Sequence, residues 1–398
     1  MVNYVFLSVY FYSVPNLRFR EFHTEWEKIQ IGNLIKERKE YTSDFEKYPL
    51  YSFTIESGIT PKSDRYERSF LVKKEGDLFK IVHQNDFVMN PMNLRFGALN
   101  YSKINQTVSV SGYYDIFTID ACKYNEFWNA YLKTPRMLYT YNTIATGSLV
   151  EKKRVYFKQL KELKMCIPSE MEKNKINEFI NLLNERIQTQ NKIIGDYNSL
   201  KKGIIQHIFN VNYEFPNVHL KAVLKEISQK NKNRDNIDVL SVSNSLGFIK
   251  QSEQFEDREI ASADTSNYKI VNKNEYAYNP ARINVGSIAR LQSCDCGIVS
   301  PMYTVFKTDI SKISYEYFDL FLQSSTFQKQ LNQKLEGSVR QCLTFASMQN
   351  ILIELPPLEM QIEISEKMKF IDSKIKIESD YLNLLKTEKE YLLKNMFV

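Results

Sequence analysis

The sequence predicts a mixed α/β chain in which two related α/β domains are each followed by a long helix. Three observations carry this class. The two halves of the chain match at a nearly constant offset, a heptad stripe of apolar residues occurs twice, and the stretches between the stripes hold short β-like runs divided by polar loops. A length of 398 residues suits two or three globular units. A hydrophobic fraction of 43% with 25 Tyr and 25 Phe argues against a disordered chain, and 12 Gly with 11 Pro excludes collagen-like or low-complexity architecture. The net charge of +6 permits a nucleic-acid partner without demanding one.

At a shift of 189 residues, Leu78-Phe79-Lys80-Ile81-Val82 through Asn90-Pro91 meets the segment from Tyr268-Lys269-Ile270-Val271 to Asn279-Pro280. Ser52 meets Ser241, Gly58 meets Gly247, Val110-Ser111 meets Val299-Ser300, Tyr114 meets Tyr303 and Phe117 meets Phe306. A single offset held over so long a stretch identifies a tandem duplication.

Residues 1–14 read as an N-terminal extension, too short for a membrane span and without the basic start or cleavage site of a signal peptide. Residues 15–167 form the first α/β domain and 210–355 the second. Glu27–Lys39 and His219–Ser228 are expected to open them as short amphipathic helices. Strands are expected in Tyr48–Ile55, Phe79–Val82, Val108–Ile119, Val239–Val242, Ile298–Phe306 and Asn350–Leu355. Each domain leads into a long helix, 168–209 and 356–398. The first starts at a capping box with Ser169 as N-cap and Glu172 three residues on, and the second follows Pro356-Pro357.

The seam of the first helix is Ile176, Ile180, Leu183, Ile187, Ile194, Tyr197, Ile204 and Ile208. That of the second is Ile364, Met368, Ile371, Ile375, Leu382, Leu385, Leu392 and Met396. The identical spacing is a coiled-coil a/d pattern, and its polar interruptions correspond as well, Gln190 with Glu378 and Lys201 with Lys389. Each stripe needs a partner, and the other copy supplies one. The spacing leaves their relative direction open.

Signs of catalysis are missing from the sequence. No G-x-G and no Gly-Lys-Ser/Thr phosphate loop occurs, Asn90-Pro91-Met92-Asn93 lacks the aromatic fourth residue of an amino-methyltransferase, and no Pro-Asp pair opens a nuclease pattern. The five Cys and four His are scattered, so no metal site is expected, and the thiols read as reduced in a cytoplasmic protein.

Several motifs, in one order, resemble the specificity (S) subunits of Type I restriction–modification systems. They are Leu17-Arg18-Phe19-Arg20-Glu21-Phe22 with Glu25-Trp26-Glu27, Asn279-Pro280-Ala281-Arg282 with Val285-Gly286-Ser287-Ile288, and Gly297-Ile298-Val299-Ser300-Pro301 with Tyr303. Leu355-Pro356-Pro357-Leu358-Glu359-Met360-Gln361 resembles the entry to that family's conserved helices, and Lys394-Asn395-Met396-Phe397 their end. The first copy departs from the pattern at Met171-Glu172-Lys173, where Glu-Glu-Gln is usual, and at Asn93, where Arg is usual. The resemblance implies two target-recognition domains separated by antiparallel spacer helices with pseudo-two-fold symmetry. It implies a non-catalytic subunit that reads a bipartite, asymmetric target in double-stranded DNA. Its partners would be two methylation (M) subunits and restriction (R) subunits. S-adenosylmethionine, ATP and Mg would belong to those partners, and this chain would hold no cofactor.

The loops that differ between the halves, such as Thr60–Lys74 against Lys250–Ala263, are where base readers are expected. The candidates are Lys62, Arg65, Arg68, Lys73, Lys74 and Arg95 in the first half, and Lys250, Gln251, Arg258, Arg282 and Arg290 in the second. The alternative is a protein-interaction scaffold with no DNA role, its duplicated α/β domains carried on a coiled coil.

Overall fold

The duplication read from the sequence is a duplication of sheet order. The computed structural model describes residues 14–55, 58–61, 78–149, 153–211, 214–232, 237–244, 246–251, 264–337 and 341–397. They fall into two compact units, 1–191 with 380–398 and 192–379, so each unit takes one α/β segment and part of both long helices.

The first unit contains β1 (Glu27–Gln30), β2 (Ile35–Arg38), β3 (Tyr41–Thr42), β4 (Tyr51–Thr54), β5 (Gly58–Pro61), β6 (Phe79–Val82), β7 (Phe87–Met89), β8 (Leu99–Tyr101), β9 (Val108–Val110) and β10 (Asp115–Ile119). Helices α1 (Asn125–Tyr131), α2 (Pro135–Ile144) and α3 (Phe157–Glu162) follow, then β11 (Lys164–Ile167) and the long α4 (Glu170–Asn210), whose C-terminal half belongs to the second unit. That unit continues through β12 (Asn217–His219), β13 (Leu224–Ile227), β14 (Leu240–Ser243), β15 (Gly247–Lys250), β16 (Lys269–Asn272), β17 (Tyr276–Tyr278), β18 (Ile288–Arg290), β19 (Cys296–Val299) and β20 (Thr304–Thr308). It ends with α5 (Tyr315–Leu322), α6 (Ser325–Gln333), α7 (Phe345–Gln349), β21 (Leu352–Glu354) and the start of α8 (Leu358–Met396).

The central sheet of the first unit has the order β2-β10-β7-β8, and that of the second β13-β20-β17-β18. The hairpin β4-β5 matches β14-β15, and the pairs β1-β11 and β6-β9 match β12-β21 and β16-β19. One stacked aromatic pair sits at the same place in both cores: Phe87 on Phe117 at 5.6 Å and Tyr276 on Phe306 at 5.2 Å. Each such pair adds about 0.5–1.5 kcal/mol beyond its buried area. Asn85 and Asn274, which precede β7 and β17, both adopt positive φ (70° and 68°), a conformation Asn tolerates better than most residues.

The structure corrects the expected helices at Glu27–Lys39 and His219–Ser228. Each is strand, a 3-10 turn, then strand: β1, Ile31–Asn33 and β2 in one unit, and β12, Leu220–Ala222 and β13 in the other. The apolar spacing imitates a helix because the turn rotates Ile31 and Leu220 into the core. The strand hydrogen bonds go to distant partners, Glu27 opposite Ile167 and Ile35 opposite Ile119. A Cβ on Gly32 would meet the Lys161 carbonyl oxygen at 2.5 Å, so this turn packs backbone against backbone.

The long helices run antiparallel. In the first unit Ile176 and Ile180, near the start of α4, pack with Leu392, Met396 and Phe397 at the end of α8. In the second, Ile205 and Phe209 at the end of α4 join Met368, with Ile364 and Ile371, near the start of α8. The polar seam residues repeat across the pair: Lys201 Nζ lies 2.5 Å from Asp372 Oδ1, and Lys389 Nζ lies 2.5 Å from Asn184 Oδ1. Asn184 and Asp372 occupy equivalent helix positions, as do Lys201 and Lys389, so each unit uses one register. None of the sixteen seam residues is exposed. Ile176, Ile180, Met368, Leu382, Leu385 and Met396 are fully buried, while Leu183, Ile187, Ile194, Tyr197, Ile204, Ile208, Ile364, Ile371, Ile375 and Leu392 are half-buried.

The helix starts are tied to their domains. Ser169 Oγ accepts from the Glu172 backbone N–H at 3.3 Å, but the Glu172 carboxylate pairs with Arg18 at 2.7 Å instead of closing the capping box. Lys173 reaches Asp120 before α1 at 2.8 Å, and its counterpart Gln361 bonds Lys312 and Ser314 before α5. The departure at Lys173 therefore keeps the contact and changes its chemistry.

Candidate nucleic-acid interface

In the second unit a cleft of about 680 Å³ opens between the β14-β15 hairpin, β18 with the loop after it, and the junction of α5 and α6. The Asn279-Pro280 turn shapes one wall. Asn279 Oδ1 accepts from the Ala281 N–H at 3.0 Å, a 3-10 turn follows at Ile283–Val285, and Gly286 reverses the chain at φ 94°. The first unit builds the same turn from Asn90 and Gly97, the latter at φ 87°. A side chain would be strained at either glycine.

Arg290 lies at the floor of the cleft and is only 8% exposed. Its Nη2 and Nε donate to Asp319 Oδ2 at 2.7 and 3.0 Å, and its Nη1 donates to Asn274 Oδ1 at 3.1 Å. The guanidinium also lies 5.0 Å from the Tyr315 ring centroid, and Gln292 turns its amide oxygen toward it, 3.1 Å from Nε. Burial pushes the Asp319 carboxyl above its ordinary value, against the pull of Arg290 and of the Tyr276 hydroxyl, which donates to it at 2.8 Å. Arg290 thus cross-links β18 to α5, and its donors are committed to the protein. Around it, Asn244, Gln292, Ser293 and Gln323 line the cleft with uncharged donors and acceptors suited to base edges.

The other candidates are placed as follows. Arg282 is exposed on the Asn-Pro turn. Lys250 is exposed at the end of β15 and pairs with Asp238 at 2.7 Å, and Gln251 next to it is half-buried. Arg95 is buried in the first unit's turn, its guanidinium 4.8 Å from the Phe96 ring centroid. Lys62, Arg65, Arg68, Lys73, Lys74 and Arg258 lie outside the described residues. The structure brings Arg290 to the cleft. The neutral polar residues there escaped a search for charge, and comparing the repeats position by position would have found Gln292, which stands where the first copy has Lys103. Among the described residues, no group of three or more His, Cys, Asp or Glu is placed to hold a metal, and no helix is long and apolar enough to cross a membrane.

Residues 224–387, from β13 into α8, match the family model described as the Type I restriction modification DNA specificity domain. This stretch is a Type I DNA specificity domain. The cleft around Arg290 lies wholly within the specificity domain. No curated protein matches the chain. A likeness of fold to solved S subunits extends over nearly all of it. The crystal structure of the Type I restriction-modification S subunit from M. genitalium is similar over 97% of this chain and 99% of its own, at TM-score 0.51 and 13% identity. A chain solved in work on complex assembly and conformational transition of the type I R-M system is similar over 94% and 97%, at TM-score 0.55 and 12% identity. At such identities the likeness is one of fold.

Proposed function

We propose that this chain is the sequence-reading subunit of a Type I restriction–modification complex, recognising a bipartite, asymmetric DNA target with one half-site per α/β domain (15–167 and 210–355). The observation that carries this reading is a duplicated sheet whose equivalent positions hold different polar groups. Two copies of one scaffold with different chemistry at the same place would read two different short sequences.

Chemistry on the DNA belongs to the partners in this reading. Two methylation subunits would bind S-adenosylmethionine, restriction subunits would use ATP and Mg, and this chain would act in the cytoplasm without catalysis or cofactor. The outer faces of the long helices (168–209 and 356–398) would serve as the docking surface. In support, α8 exposes Phe370, Ile377, Leu384 and Tyr391 at steps of seven residues, each 58–67% accessible. That is a heptad stripe on the side away from the seam, able to receive a further helix.

The test is a methylation map of the host genome with and without this chain. A two-part methylated adenine motif that disappears on deletion is expected. An unchanged methylome, together with no salt-sensitive gel shift, would instead favour the protein-interaction scaffold, because phosphate contacts make DNA binding steeply salt-dependent.

A further inference from the structure

The first unit carries a pocket of about 460 Å³ against α1, Ile180 of α4 and the last turns of α8. Ala130, Ile180 and Leu393 give it apolar walls, and Lys133 and Lys389 bring two amines to it. In its wall the buried Glu126 accepts from the Tyr101 hydroxyl at 2.8 Å and from Lys103, which occupy one of its oxygens. Lys133 Nζ finds only the amide oxygen of Asn100 at 2.6 Å, and Lys389 only that of Asn184 at 2.5 Å; among the described residues neither has a carboxylate partner. Burial lowers the Lys133 amine to about 8, Glu126 opposing and Lys389 and Lys103 adding to the effect. Lys389 is lowered for the same reason. The rim charges Glu390 and Lys394 offset one another.

The repeat shows how this imbalance arose. Thr134 and Ser324 cap α2 and α6 alike, each also bonding the carbonyl three residues back, which fixes the alignment of the helices before them. Glu126 then corresponds to Glu316, Asn129 to Asp319 and Lys133 to Gln323. In the second unit Arg290, Lys369 and Lys201 meet Glu316, Asp319 and Asp372, every charge paired. In the first, Lys103, Lys133 and Lys389 share Glu126 alone, because Asn129 and Asn184 stand where the second unit has aspartates. Asn129 Oδ1 is buried in the pocket wall without a hydrogen-bond donor.

We propose that this pocket binds an oxyanion, a phosphate or carboxylate group whose charge replaces that of the two missing aspartates. Lys133 and Lys389 would donate to its oxygens, Asn129 would accept from a ligand hydroxyl, and the apolar walls would take the body of an organic anion. Half-buried ammonium groups with too little counter-charge are costly, and an anion bound between them lowers that cost.

The experiment is thermal unfolding of the full chain at neutral pH in sodium phosphate and in sodium chloride of equal ionic strength. Phosphate should raise the midpoint by about 2–4 °C more than chloride once it exceeds its dissociation constant about fivefold. The variant Asn129→Asp/Asn184→Asp, which restores the second unit's residues, should melt higher in chloride and lose the phosphate increment. Lys133→Met should lose the increment too. A midpoint increment from a non-specific duplex that the double variant also loses extends the site to the DNA backbone, whereas one that it keeps belongs to DNA binding elsewhere on the chain and restricts the pocket to small anions. If phosphate acts no better than chloride, or the double variant keeps the phosphate increment, the proposal is wrong.

Discussion

Replacing Arg290 by leucine is expected to destabilise the second unit by about 1.5–3 kcal/mol at neutral pH, the usual worth of hydrogen bonds to a charged group, since Asp319 is only partly buried. Asp319 would then keep the Tyr276 hydroxyl but lose two N–H donors at 2.7 and 3.0 Å. The sign with pH follows from Asp319, whose folded carboxyl already titrates above its ordinary value because of burial. Without Arg290 it titrates higher still. A raised folded pKa contributes stability that is complete below the unfolded value, near 3.9, and is lost as pH rises through the folded value. The deficit should therefore be largest at neutral pH and shrink as acid protonates Asp319. Urea unfolding at several pH values measures it. Arg290→Tyr with Asp319→Asn copies Tyr101 and Asn129 of the first unit and should recover most of the loss. A deficit independent of pH would mean that packing, and not the buried charge, is what Arg290 supplies.

Exchanging residues 210–355 for the matching domain of another family member should replace one half of the recognised motif and leave the other half unchanged. Each mismatched base pair costs about 1–3 kcal/mol, so a half-site of a few base pairs carries enough discrimination for a complete switch. Methylation mapping of a strain carrying the exchanged chain reads the outcome directly. If both halves change, or neither does, the assignment of one half-site to each domain fails.

The duplication was legible because it is written in many residues at one offset, and it appears again in sheet order, in the stacked pairs Phe87–Phe117 and Tyr276–Phe306, and in the paired helix contacts of Lys201 and Lys389. The long helices were legible because their seam is periodic within a local window. Direction was not, since it depends on which ends meet. The opening strands were misread because their partners are distant: Glu27 pairs with Ile167, and a window of apolar residues cannot see that. Arg290 illustrates the same limit for the site. Its residue type suggests a base reader, but Asp319, from a helix 29 residues away, commits its guanidinium to the fold. The cleft's neutral polar lining carries no charge pattern, and only comparison of the two copies draws attention to it.

The most direct measurement is a hydroxyl-radical footprint of the chain, assembled with the methylation subunits proposed for it, on DNA containing the mapped motif. Two protected tracts with an accessible spacer between them are expected, and exchange of residues 210–355 should move or erase one of them alone. A single unbroken tract, or loss of both tracts from that one exchange, would contradict two independent readers on a duplicated scaffold.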